Sequence, residues 1–206
     1  MALFALGAGV LLWLLPTFAS IWLEDPSGSD FDIILVVRWA AAMLLLSFVL
    51  FVERRPLSSL GLRIPQRRDV AVVVPITAAA LITGILLYSL VGGGGDTQTS
   101  SIIDSLSVIA AIHLIVNAAV VEELFFRGLL MERVIELTGR PWLAALASFV
   151  VFTGSHIPGS GWATALTMTA AGAALFAGIY WWRRNLVLCI EAHALSNLPI
   201  LGVALG

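Results

Sequence analysis

"VVEELFFRGLL", residues 120–130, places Glu122, Glu123 and Arg127 inside a stretch that otherwise has the character of lipid-buried helix. A charged side chain at mid-membrane costs about 3 kcal/mol on insertion scales, so three of them need a structural or chemical use. The surrounding chain has the composition of a bilayer resident, with 60% hydrophobic residues, 12% charged residues and a mean hydropathy of +1.01. An ordinary soluble domain is excluded. Apolar runs at 2–23, 33–52, 70–91, 108–121, 141–157, 162–182 and 186–205 suit a hydrocarbon core of about 30 Å. They predict an all-α, polytopic transmembrane bundle of six to seven helices. One integral membrane domain over 1–206 is expected, with a three-helix part at 1–91 and a motif-bearing core at 108–206 that carries the unusual polar residues.

Charge placement orients the bundle. All eleven basic residues are arginine, and nine of them fall on one side if the N-terminus is inside. The first loop, "EDPSGSDFD", carries only acids, whereas "ERRPLSSLGLRIPQRRD" holds five arginines. Arg133, Arg140, Arg183 and Arg184 follow on that same side. The positive-inside bias therefore puts residues 53–69 and the turns near 139–141 and 183–185 in the cytoplasm. Residues 2–23 read as a retained span, since no basic n-region precedes a run longer than a signal-peptide core. The expected location is the plasma membrane of a prokaryotic cell, N-terminus cytoplasmic. Trp181 and Trp182 beside Arg183 suit an interfacial belt, and Arg38 reads as a side chain that snorkels outward. The tract Gly92–Gly95 with "DTQTSS" reads as a flexible outer loop between the two halves. The single cysteine, Cys189, excludes an intrachain disulfide.

On a helix, Glu123 and Arg127 form an i, i+4 pair with the acid N-terminal, the better orientation. Glu122 points about 100° away and is left without a local partner, the condition of a general base or a protonatable switch. The competing reading, in which residue 122 onward is outside the bilayer and solvated, is opposed by the "LFF" and "GLLM" that follow. His156 is read as ending the next helix, with Phe152 one turn earlier on its face. Glu122 and His156 lie roughly 17 residues either side of the turn "TGRP", about 25 Å along antiparallel neighbours, so the two can meet. In "CIEAHALSNLP", His193 and Asn197 share a face about 12–15 Å from the turn at Arg183–Asn185, and Glu191 is on another face. With the hairpin that carries "MERVIELTGR" protruding about two turns into the cytoplasm, its glutamates and His156 reach the depth of His193, and three helices are expected to converge on one intramembrane polar site.

His113 and Asn117 show the same i, i+4 spacing and are read as interhelical hydrogen-bonding residues. Ala170, Ala174 and Gly178 are read as a small-residue stripe making a close helix contact.

Carboxylate, two imidazoles and an amide suit water activation. Glu122 and His156 would polarise a water, while His193 and Asn197 donate to the oxyanion formed at a peptide carbonyl. The alternative is zinc held by Glu122, His156 and His193 with a water at the open position. No H-E-x-x-H or G-x-S-G motif is present, and nucleotide-binding loops are absent. No nucleic-acid partner is expected; the partners are the bilayer and a peptide or protein substrate.

"EELFFR" is E-E-x-x-x-R, "FTGSH" is F-x-x-x-H and "HALSN" is H-x-x-x-N. With these three motifs in this order, the chain resembles the type II CAAX prenyl endopeptidase and bacteriocin-processing group, the CPBP or abortive-infection family of intramembrane proteases. The resemblance covers residues 108–206, and "LSSLGLR" at 57–63 is similar to a segment these proteins carry after an early helix. It implies that Glu122 and His156 activate the water, that His193 and Asn197 form the oxyanion hole, and that Glu123 with Arg127 holds the site together. It also implies a glutamate-dependent endopeptidase, or with zinc a metallo-endopeptidase, acting on a membrane-associated substrate, a prenylated CAAX-type protein or a small peptide. Two other classes stand beside it. One is a non-catalytic scaffold, immunity or regulatory protein retaining the fold. The other is a proton-coupled carrier using Glu122, opposed by the lack of an internal repeat.

Overall fold

The computed structural model describes residues 1–20, 29–91 and 98–206, and these are helical without a strand. The helices are α1 (Ala2–Ser20), α2 (Ser29–Ser47), α3 (Arg67–Leu90), α4 (Gln98–Ser105), α5 (Val108–Glu123), α6 (Glu132–Thr138), α7 (Pro141–Thr164), α8 (Ala170–Arg183), α9 (Leu186–Ser196) and α10 (Leu198–Leu205). Among the described residues six helical stretches are long and apolar enough to cross a membrane: 2–19, 31–52, 67–90, 108–138, 141–183 and 186–205. The protein is an integral membrane helical bundle, as its apolar runs predict.

The stretch 141–183 doubles back. Along one straight helix residues 152 and 176 would be about 36 Å apart, yet the rings of Phe152 and Phe176 are 6.5 Å apart. The reversal is at Gly161, whose φ of 74° and ψ of 168° fall in a region open only to glycine. The helix carrying His156 therefore continues past Pro158 instead of ending at His156. The other two reversals are where the sequence puts them. Gly139 closes α6 in the left-handed conformation before Pro141 opens α7. Arg184 closes α8, and the Asn185 side chain caps α9 by accepting from the N–H groups of Val187 and Leu188 at 3.0 and 3.3 Å.

The quoted stretch forms the centre of the bundle. Every residue from Val121 to Leu129 is buried, the signature of a helix surrounded on all sides by protein. Here the helix widens into π-helical winding over Leu124–Met131 before α6 resumes. Such winding is rare and accompanies functional sites, and no local sequence signal announces it. Trp13 of α1 packs on Phe126 edge-on at 4.7 Å, and Phe126 packs on Phe152 at 5.0 Å. The central helix is thus tied to both the first helix and α7.

The arginine-bearing segments share one end of the bundle. Arg55 bonds Glu136 at 2.7 and 2.8 Å, Arg133 bonds Glu53 at 3.0 Å, Arg183 meets Asp69 at 2.7 Å and Arg184 bonds Glu132 at 2.7 Å. The segment 57–63 docks at this end. The Gly61 carbonyl accepts from the Leu186 N–H at 2.8 Å, and a Cβ on Gly61 would lie 2.4 Å from the Tyr180 hydroxyl. Only glycine permits that approach.

Three expectations change. Ala174 and Gly178 face outward, so the proposed small-residue stripe makes no close contact; the buried face of α8 carries Ala173, Phe176, Ala177 and Tyr180 instead. The close approach is made at Gly84 of α3, where a Cβ would lie 3.1 Å from the Met168 backbone. Residues 24–28 of the acidic first loop and the tract 92–97 lie outside the described residues, but Ser29–Asp32, read as the end of that loop, open α2, and Gln98–Ser101, read as loop, open α4.

Candidate functional site

Glu122 and Glu123 end α5, and their neighbours divide the work. Glu123 and Arg127 are fully buried and joined at 2.9 Å. The Arg127 guanidinium also donates to the Ala173 carbonyl at 3.3 Å. It lies over the rings of Phe152, Phe176 and Phe126, with 4.5 Å to the nearest centroid. A cation caged by three aromatic faces and paired one turn away has a place in an apolar core that neither partner has alone. Solvation of these acids is overturned by their burial.

Glu123 does more than neutralise Arg127. The same oxygen, Oε1, accepts from Nδ1 of His193 at 2.8 Å. His193 is also stacked on Phe176, with ring centroids 4.7 Å apart and planes at 17°. A carboxylate only accepts, so Nδ1 of His193 carries a proton and Nε2 is turned toward Glu122. His156 is set in the same way. Its Nδ1 donates to the Phe152 carbonyl at 2.8 Å, and its ring packs on Phe152 at 4.6 Å. Both Nε2 atoms face one oxygen: Glu122 Oε2 is 3.7 Å from His156 and 3.9 Å from His193. These gaps exceed a hydrogen bond and suit a bridging water.

The four residues expected to converge, Glu122, His156, His193 and Asn197, line one cavity of about 520 Å³. Asn197 caps α9 at its junction with α10, and its side-chain amide makes no hydrogen bond among the described residues. Glu191 does not line this cavity. Trp13 and Thr77 do, so the N-terminal helices supply part of the wall.

Arg38 is the residue that sequence reading placed elsewhere. It points inward from α2, lines the cavity and bonds Glu122 Oε1 at 2.6 Å. Glu122 is therefore not without a partner; its partner is 84 residues away in sequence. The available signal was charge balance, since two carboxylates and one guanidinium inside hydrocarbon call for a second cation. His113 and Asn117 behave as predicted: Trp39 donates to His113 at 3.1 Å and Asn117 donates to the Leu35 carbonyl at 3.1 Å, joining α5 to α2.

Among the described residues, no group of three His, Cys, Asp or Glu side chains is arranged to hold a metal ion. Of the set zinc would use, Glu122 already has one oxygen bonded to the Arg38 guanidinium, and that charge opposes a dication beside it.

The fold and the site define a polytopic membrane protein with a buried carboxylate–imidazole cluster. Residues 104–199, just under half of the chain, match the family described as type II CAAX prenyl endopeptidase Rce1-like. No curated protein and no solved structure gives a significant match.

Proposed function

We propose that the protein is an intramembrane endopeptidase that hydrolyses a peptide bond of a membrane-associated substrate with a water held between Glu122 and His156. The observation that carries this reading is the convergence of both imidazole Nε2 atoms on the free oxygen of Glu122 within one cavity. The family match supports the reaction class. A water in the gap donates to Glu122 Oε2 or to His156 Nε2, which removes its proton as the oxygen attacks the scissile carbonyl. The amide of Asn197 and Nε2–H of a doubly protonated His193 then stabilise the oxyanion, with Glu123 balancing the imidazolium. Collapse breaks the C–N bond, and the proton returns from Glu122 or His156 to the leaving amine. No Ser or Cys nucleophile is required, and no step is routed through a metal.

The wall of the cavity is largely apolar, which suits a hydrophobic peptide or the lipid of a prenylated CAAX-type protein. With the arginine-bearing end in the cytoplasm, the N-terminus is cytoplasmic. The test is cleavage of a membrane-tethered peptide library, prenylated and unprenylated, by the purified protein beside Glu122→Ala. Cleavage by the parent and none by the variant is expected. Equal cleavage removes Glu122 from the mechanism, and no cleavage across the library leaves the scaffold class standing.

A further inference from the structure

We infer that Arg38 is a positioning residue of the reaction, holding the Glu122 carboxylate so that its second oxygen is presented to the two histidines. This rests on the reading of Glu122 as the group that activates water. Arg38 comes from α2, outside the matched region 104–199, so the active constellation is completed by the N-terminal part of the chain. The geometry divides the carboxylate into two lobes. Oε1 is taken by the Arg38 guanidinium at 2.6 Å, and Oε2 is left facing His156 at 3.7 Å and His193 at 3.9 Å. A carboxylate has two equivalent oxygens and a soft terminal torsion, so nothing in Glu122 itself chooses which one meets the water. A charge-assisted bond to one oxygen makes that choice.

The surroundings keep Arg38 in place. Its guanidinium lies 5.8 Å from the Trp13 ring centroid, and its neighbour Trp39 is anchored to His113. The neighbouring carboxylate Glu123 is already occupied by Arg127. Arg38 is 18% exposed on its side chain, so a small cation entering the cavity can reach the place its head group leaves.

That accessibility supplies the test. Full-length Arg38→Ala, Arg38→Lys and Arg38→Gln are assayed on a peptide the parent cleaves, with and without millimolar guanidinium chloride, beside thermal melts. Arg38→Ala is expected to lower kcat about 100-fold with KM nearly unchanged, the scale of loss for a misplaced catalytic group. Guanidinium is expected to restore kcat saturably in Arg38→Ala and not in the parent, without moving Tm. Arg38→Lys, a point charge on a differently shaped stem, should fall between. Should Arg38→Ala fail to fold, Arg38→Gln carries the same expectation. A raised KM at parental kcat would mean that Arg38 meets the substrate instead, and parental kcat in all three variants would also overturn the inference. Lost kcat that guanidinium does not restore, accompanied by a lowered Tm, would assign Arg38 a structural role only. A parent that cleaves nothing sinks the endopeptidase reading and this inference together, whereas an active parent, an inactive Glu122→Gln and a fully active Arg38→Ala sink this inference alone.

Discussion

Glu123 Oε1 is shared between two donors, Arg127 at 2.9 Å and His193 Nδ1 at 2.8 Å, on a side chain with no exposure to solvent. One carboxylate thus ties the central helix to itself and to α9. Removing either charge of the fully buried pair leaves the other uncompensated. Glu123→Gln and Arg127→Leu are each expected to cost about 3–5 kcal/mol. Thermal melts in detergent check this, and Glu122→Gln, whose partner Arg38 reaches solvent, should lower Tm less than either. Equal losses in all three would refute the division between a structural and a reactive glutamate.

His193 and Asn197 should behave as donors to a developing charge. Asn197→Ala and His193→Ala are each expected to lower kcat by about 100- to 1,000-fold with little change in KM. Steady-state kinetics on a cleaved peptide decide. Loss confined to KM would move these residues to substrate binding.

Glu123→Gln carries a second consequence beyond folding. Its amide cannot balance an imidazolium as a carboxylate does, so the molecules that remain folded should turn over at least tenfold more slowly than the parent, by the scale of a weakened oxyanion donor. Activity normalised to folded protein measures this. Parental specific activity would show that Glu123 acts on stability alone.

Metal dependence separates the two uses of the histidines. Protein stripped with a strong chelator is expected to keep its activity, and elemental analysis to find well under one zinc per chain. Loss on stripping with recovery on stoichiometric zinc would make Glu122, His156 and His193 ligands.

Gly161 holds a backbone conformation closed to other residues. Gly161→Ala is expected to cost about 1–3 kcal/mol and to displace His156, which lies shortly before the reversal. A melt and a turnover assay should both fall, and an unchanged pair would mean that the hairpin closes elsewhere.

Much of this protein is legible in its sequence because the bilayer leaves so few choices. Hydrocarbon admits helices of one length, so apolar runs predict the spans. Turn chemistry at Gly139–Pro141 and Arg184–Asn185 then sets the registers of the hairpins, and rise per residue brings Glu122 and His156 to one depth, with His193 joining them once the first hairpin is offset by about two turns. The i, i+4 pairing of Glu123 with Arg127 is equally local, since helical geometry alone puts the two side chains together.

What the tertiary structure alone decided is which way each intramembrane charge points and what it meets. Arg38 has the same local sequence whether it snorkels or turns inward, and only the packing of α2 against α5 makes it the partner of Glu122. His193 could have faced Asn197 only, yet the approach of α9 to the central helix sets its Nδ1 on Glu123. The face of α8 that is buried, the π-helical winding after Glu123 and the reversal at Gly161 instead of a helix end at His156 are settled in the same way. A helix presents several faces at similar local cost, and the contacts that select one come from residues distant in the chain, where spacing along the sequence carries no information.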